Sequence, residues 1–208
     1  MFRKRVHRQA DFFARQKHLH DVIKEVFRKS IHLCSAFVPL LLRWNAPAVQ
    51  VALCLLLIGY TVTESLRRRG KNVPVVSVVT SLAARKRDEN KFVLGPITLV
   101  VGILAASFMW PQFHAAVGIY ALAFGDGLAS LAGRLFGRIE IPLTHGKTAE
   151  GSLTCFCAIF IAGFLHTRDA GASLVIAFAG MLIELLPLKD FDNILIPVAL
   201  GGLSYMLL

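Results

Sequence analysis

The stretch Gly125 to Ser152, GDGLASLAGRLFGRIEIPLTHGKTAEGS, holds most of what this chain could use for chemistry. It sets one acid, Asp126, beside the cations Arg134, Arg138 and Lys147, hydroxyls at Thr148 and Ser152, and repeated glycines. Cations of this kind hold phosphate oxygens, and glycines let the backbone approach an anion closely. Carboxylates nearby suit Mg²⁺, which takes a few protein oxygens and completes its shell with water and substrate phosphate. A nucleotide with its metal matches this set, although no GxxxxGK[ST] cradle is present.

The spacing says how these groups are carried. Gly125, Ala129, Gly133 and Gly137 recur at every fourth residue, a smooth stripe on which another helix can pack closely. Asp126, Ser130 and Arg134 recur on the adjacent stripe. The stretch therefore begins as the end of an apolar helix and continues as a loop.

The remaining chain sets the solvent. With 55% hydrophobic and 17% charged residues over 208 positions, it is too apolar for an ordinary soluble domain. Its apolar runs are of the order of the ~20 residues that cross a hydrocarbon core. The expected fold is all-α, a polytopic integral membrane protein with about seven transmembrane helices. Spans are expected near 30–42, 49–63, 92–110, 113–135, 153–165, 172–186 and 194–208. Residues 1–29 read as a basic, amphipathic cytoplasmic arm, and 30–208 as a single transmembrane domain. The first thirty residues lack an apolar h-region, so no cleavable signal peptide is expected.

Lys and Arg collect in the arm, in 67–91, in 134–147 and at Lys189, while the alternate connections carry almost none. This asymmetry puts the N-terminus in the cytoplasm and the C-terminus outside. It also accounts for the formal net charge of +10 without nucleic acid. On this topology Arg28, Lys29, His32, Glu64, Asp126, Glu184, Asp190, Asp192 and Asn193 fall at one depth on the cytoplasmic side. Ionisable groups in spans are costly and usually functional, so their convergence marks a site. The spans after Ser152 and Asn193 start at this face, with their positive dipole ends toward it.

Other candidates have plainer readings. Cys34, Cys54, Cys155 and Cys157 lie in apolar runs without zinc-ligand spacing, as small buried or lipid-facing residues. His7, His18, His20, His114 and His166 lie in the arm or at the outer boundary; His145 falls in the polar loop.

In chain order, Arg28-Lys29-x-x-His32, Gly125-Asp126-Gly127-x-Ala129, Gly133-Arg134-x-x-Gly137, Lys147-Thr148-x-Glu150-Gly151-Ser152, Glu184, Pro187, Asp192-Asn193 and Pro197 form a pattern. It resembles the polyprenol kinase family, which groups dolichol kinase, phytol kinase and CTP-dependent diacylglycerol kinase. The resemblance runs from about residue 25 to the C-terminus. It implies phosphoryl transfer from a nucleoside triphosphate, typically CTP, to a membrane lipid hydroxyl, with a divalent metal such as Mg²⁺. By position it implies catalytic roles for Asp126, Lys147 and His32, and metal contacts from Asp126, Glu150, Glu184 and Asp192. Substrate or nucleotide contacts would come from Arg28, Lys29, Gly125, Gly127, Ser130, Arg134, Arg138, Thr148, Gly151, Ser152 and Asn193. Against dolichol kinases the chain is short, which favours diacylglycerol or a shorter isoprenoid alcohol. Short loops and compact size favour a bacterial inner membrane.

Two other readings stand beside this one. A phosphatidate cytidylyltransferase also uses CTP and Mg²⁺ and carries a related GD, GR and K pattern, with a phosphate as acceptor. The RKxxH start and KTxEGS favour the kinase. A small transporter would place its ionisable groups near the midplane, with inverted repeats. Neither feature is evident in the sequence.

Overall fold

The computed structural model of this chain describes residues 22–71, 92–144 and 146–208. Most of the expected arm, residues 72–91 and His145 lie outside these residues.

Helix α1 spans 22–34 and passes through a 3₁₀ turn, Ser35–Phe37, into α2, Val38–Arg68. The turn has a local cause. Pro39 has no N–H to give the Ser35 carbonyl, and the Val38 N–H takes that oxygen instead. Helix α2 breaks at Asn45, whose φ of −152° and ψ of 87° are not helical. The Asn45 side chain accepts the Ala48 N–H at 3.1 Å, so it caps the second arm with Pro47 inside the first turn. The expected break at Asn45-Ala46-Pro47 is where the chain bends. The helix before it already runs from residue 22, earlier than the apolar run alone implied.

Helix α3 (Gly95–Met109) follows, then α4 (Gln112–Tyr120), a π turn (Ala121–Asp126) and α5 (Gly127–Phe136) in one continuous rod. Helices α6 (Ala149–Thr167), α7 (Ala170–Leu185) and α8 (Asp192–Leu207) complete the bundle. Among the described residues there is no β-strand, only an isolated bridge between Glu140 and Thr148. Among the described residues, three helices are long and apolar enough to cross a membrane: Val22–Arg68, Gln112–Phe136 and Ala149–Thr167. Three apolar helices are shorter: Gly95–Met109, Ala170–Leu185 and Asp192–Leu207.

The α4–α5 rod lies in the middle. Its Val117, Ile119 and Leu122 pack with Ile103 of α3, Ile159 of α6, Ile176 of α7, and Ile196 and Leu200 of α8. The approach of α8 is unusually close. A Cβ on Gly102 would land on the Asn193 carbonyl oxygen, and one on Gly118 on that of Pro197. Pro197 also denies the Asn193 carbonyl its usual helical donor. Outward faces are apolar instead of polar, with Leu55, Leu56, Ile58 and Val62 on α2 and Leu153, Ile161 and Leu165 on α6 exposed. Apolar exposure on this scale suits a hydrocarbon solvent.

At the end away from Asp126, His114 Nδ1 meets Ser204 Oγ at 3.0 Å and His166 Nε2 meets the Phe113 carbonyl at 3.1 Å. Both histidines thus join neighbouring helices by local contacts.

Candidate functional site

A cleft of about 760 Å³ opens at one end of the bundle. The end of α5, the starts of α6 and α8, the end of α7 and Arg28 of α1 all reach it. Both four-residue stripes line it: Asp126, Ser130 and Arg134, and beside them Ala129, Gly133 and Gly137. The smooth stripe does what its spacing predicts, because the start of α6 rests directly on it. A Cβ on Gly151 would sit 3.0 Å from the Ala129 carbonyl oxygen.

Thr148 fixes that helix start. Its backbone is extended, and its Oγ1 accepts the Gly151 N–H at 3.2 Å. Loss of such a cap costs about 1 kcal/mol. Thr148→Ala is therefore expected to lower the unfolding midpoint in detergent, while Thr148→Ser keeps it. Equal midpoints for both variants would dismiss the cap.

The cleft floor is ionic. Lys29 is fully buried and its Nζ lies 2.5 Å from Asp126 Oδ2. His32 Nδ1 is 3.2 Å from the same oxygen, within ion-pair distance when the ring is protonated. Asp126, also buried, faces the cleft above these two. A helix before the bundle core and the middle rod are thus joined by one carboxylate.

The rim carries opposite charges. Lys147 Nζ stands 3.0 Å from Glu184 Oε1 and donates to the Leu186 carbonyl at 3.4 Å. Glu184 and Ser152 line the cleft, and Glu184 Oε2 and Ser152 Oγ, buried beside it, have no hydrogen-bond partner. Asp192 lines the cleft from the first turn of α8, with Oδ1 accepting the Asn193 N–H at 2.9 Å. Arg28 holds Glu25 at 2.6 Å, and both face the cleft.

Of the residues singled out in sequence, the cleft gathers Arg28, Asp126, Ser130, Arg134, Arg138, Lys147, Thr148, Gly151, Ser152, Glu184 and Asp192. Lys29 and His32 lie directly beneath it. Others stand elsewhere. Gly125 faces α6, where a Cβ would come within 2.7 Å of Ile159, and Gly127 faces Leu33. Asn193 donates to Thr98 Oγ1 at 3.0 Å and ties α8 to α3. Glu150 accepts the N–H groups of Arg138 (3.0 Å) and Ile139 (3.4 Å), and does not line the cleft. Glu64 does not join the convergence either. It is buried against Arg67 and the Val93 N–H, where it ties α2 to the chain entering α3.

The cleft also uses Glu25, Glu140, Thr144 and Lys189, to which the sequence assigned no role there. Glu25 precedes Arg28 by three residues, a helical pair that could have been read. Glu140 reaches the cleft through the chain reversal that bridges it to Thr148, and no local pattern announces that.

The donor set bears on a metal. Among the described residues, no three His, Cys, Asp or Glu side chains form a group that could hold an ion unaided. Mg²⁺ bound to a nucleotide needs only one or two carboxylates. The unpartnered Glu184 Oε2, with Asp192 on the same cleft, fits that smaller requirement.

The chain is 30% identical over 126 residues to a protein named farnesol kinase, chloroplastic, of Arabidopsis thaliana, covering 53% of this chain and 41% of that one. It is 28% identical over 157 residues to phytol kinase 1, chloroplastic, of the same plant (66% and 51%). It is 27% identical over 146 residues to CTP-dependent diacylglycerol kinase 1 of Eremothecium gossypii (58% and 46%). The chain spans about half the length of these curated relatives. No protein-family model matches it, and no solved structure does. Its relatives belong with the polyprenol and lipid kinases, as the motif order implied. Their chloroplastic and fungal origins lend no support to a bacterial inner membrane.

Proposed function

We propose that this chain, a relative of polyprenol and lipid kinases, phosphorylates the hydroxyl of a membrane lipid alcohol with a nucleoside triphosphate. The observation that carries the reading is the charged cleft at one end of an otherwise apolar bundle, with the unpartnered Glu184 Oε2 and Ser152 Oγ buried in its wall. CTP as donor is supported by the name of the Eremothecium gossypii relative. The acceptor is diacylglycerol or an isoprenoid alcohol, a reading supported by the names farnesol, phytol and diacylglycerol kinase that the relatives carry. The rods cross the bilayer as seven spans, with the cleft and the N-terminus on the cytoplasmic side. The Lys and Arg asymmetry of the connections supports this sense.

Arg134, Arg138 and Lys147 hold the phosphates. Glu184 and Asp192 would hold a Mg²⁺ ion, which would supply neutralisation of the triphosphate charge. Asp126 takes the proton of the lipid hydroxyl as its oxygen bonds to the terminal phosphorus and the bond to the departing nucleoside diphosphate breaks. Lys29 and His32 keep that carboxylate in position. Such transfer depends mainly on alignment and charge stabilisation.

The test uses purified protein, Mg²⁺ and γ-³²P-CTP with mixed micelles of diacylglycerol or an isoprenoid alcohol. Label in the lipid is expected. No label in any alcohol would overturn the kinase reading, and incorporation of α-³²P-CTP into phosphatidate would establish a cytidylyltransferase. In the same assay Lys147→Met is expected to lose about 10²-fold in rate, the scale for one lost charge-stabilising donor. A variant at the original rate would remove Lys147 from phosphate binding.

A further inference from the structure

Beside the charged cleft lies a second recess of about 410 Å³, formed where α5 ends and α6 begins. Leu135, Phe136, Gly137, Arg138 and Glu150 line it. Gly137 and Arg138 line both recesses, so the two meet across these residues. Phe136 is 69% exposed, and Leu135 beside it is exposed too. Among the described residues, nothing covers these side chains. Leu153 is exposed one turn beyond Glu150 on α6, which carries the apolar surface on along the outer face.

We propose that this side groove seats the lipid acceptor, with its hydrocarbon on Leu135, Phe136 and the α6 face and its hydroxyl directed past Gly137 into the cleft. The inference rests on the kinase reading for the identity of the hydroxyl. A nucleotide is a poor occupant, because half of the lining is hydrocarbon and the outer side continues into the apolar surface. The polar lining points to a neutral headgroup. Arg138 and Glu150 supply one charge of each sign, and the Glu150 carboxylate already accepts the N–H groups of Arg138 and Ile139. An anionic headgroup would meet that carboxylate at close quarters. The glycine at the junction matters as well. A side chain at Gly137 would run into the Gly133 carbonyl and the Thr148 methyl group, where the groove enters the cleft.

The deciding experiment uses the unaltered full chain in nanodiscs, without nucleotide, and a long-chain primary alcohol bearing a diazirine. After irradiation, peptide mapping is expected to find label concentrated in 135–139 and 150–153. Excess unlabelled diacylglycerol or isoprenoid alcohol displaces it, and phosphatidate does not. Label spread evenly over the outer faces of α2 and α7, or label that no alcohol displaces, would overturn the proposal. Displacement by phosphatidate alone would overturn it in favour of an anionic lipid. None of these outcomes requires turnover, so failure of the kinase reading is seen separately, in the phosphorylation assay. With activity in hand, Phe136→Ser is expected to raise the acceptor KM about ten-fold, the scale for losing one aromatic apolar contact, and to leave the nucleotide KM unchanged. Among the described residues Phe136 is not part of the hydrophobic core, and Leu135→Ser serves as an independent second variant. An unchanged acceptor KM in both would also overturn the proposal.

Discussion

Asp126→Leu alone is expected to destabilise the protein strongly, and Lys29→Met added to it is expected to recover the fold without recovering activity. The single change strands the Lys29 ammonium, which is fully buried and has Asp126 Oδ2 at 2.5 Å as its ion partner. Breaking a buried pair from one side costs about 3–5 kcal/mol, because the charge left behind is uncompensated. Replacing both members with apolar groups of similar size removes that cost and is often neutral. Thermal unfolding in detergent, read for both single variants and the double, should show this recovery. The ³²P assay on the double variant then isolates chemistry from folding. A double variant that transfers phosphate at the original rate would take Asp126 out of the mechanism. One that stays as unstable as Asp126→Leu would mean the pair is not a simple ion pair.

The second large effect is expected at Gly102. Gly102→Val places its Cβ on the Asn193 carbonyl oxygen, an atom of the α8 backbone that has no free rotamer with which to yield. Overpacking usually costs about 1–3 kcal/mol, and a clash with backbone falls at the upper end. The helices must part, and the Asn193 amide then loses Thr98. Since Asp192 is the neighbouring residue and lines the cleft, the loss reaches the site. The expected result is a large fall in the unfolding midpoint, with a higher nucleotide KM in whatever folded fraction remains. A Val variant with the original midpoint would show that α3 and α8 stand further apart than described. Gly59, which has open space where its Cβ would go, is the matched control.

Much of the site was legible because it is built on local periodicity. The stripes at Asp126, Ser130 and Arg134 and at Ala129, Gly133 and Gly137 need only a helix at their position to fall on one cleft, and α5 provides it. The break at Asn45 was legible for the same reason, since a cap and a proline act within one turn. Residues whose partners are remote were harder to place. Asn193 looked like a cleft residue beside Asp192, yet its amide is held by Thr98, 95 positions away. Glu64 and Glu150 are acids at the right end of the bundle, but both are spent on backbone N–H groups of chain segments entering or leaving helices. A sequence shows that an acid is present at a given depth. It does not show whether a nearby backbone donor has already claimed it.

The π turn at Ala121–Asp126 has one more consequence, in the phase of the rod. A π turn takes up about one residue more than an α turn, which amounts to roughly 100° of azimuth. The half below it is pinned by α8, where Gly118 meets Pro197, and the half above it is pinned by α6, where Gly151 meets Ala129. An uninterrupted α-helix could not satisfy both contacts and still turn Asp126 toward Lys29. The extra residue acts as a phase shifter between two fixed bearings. It lets the apolar scaffold and the reactive end keep separate angular registers within a single helix.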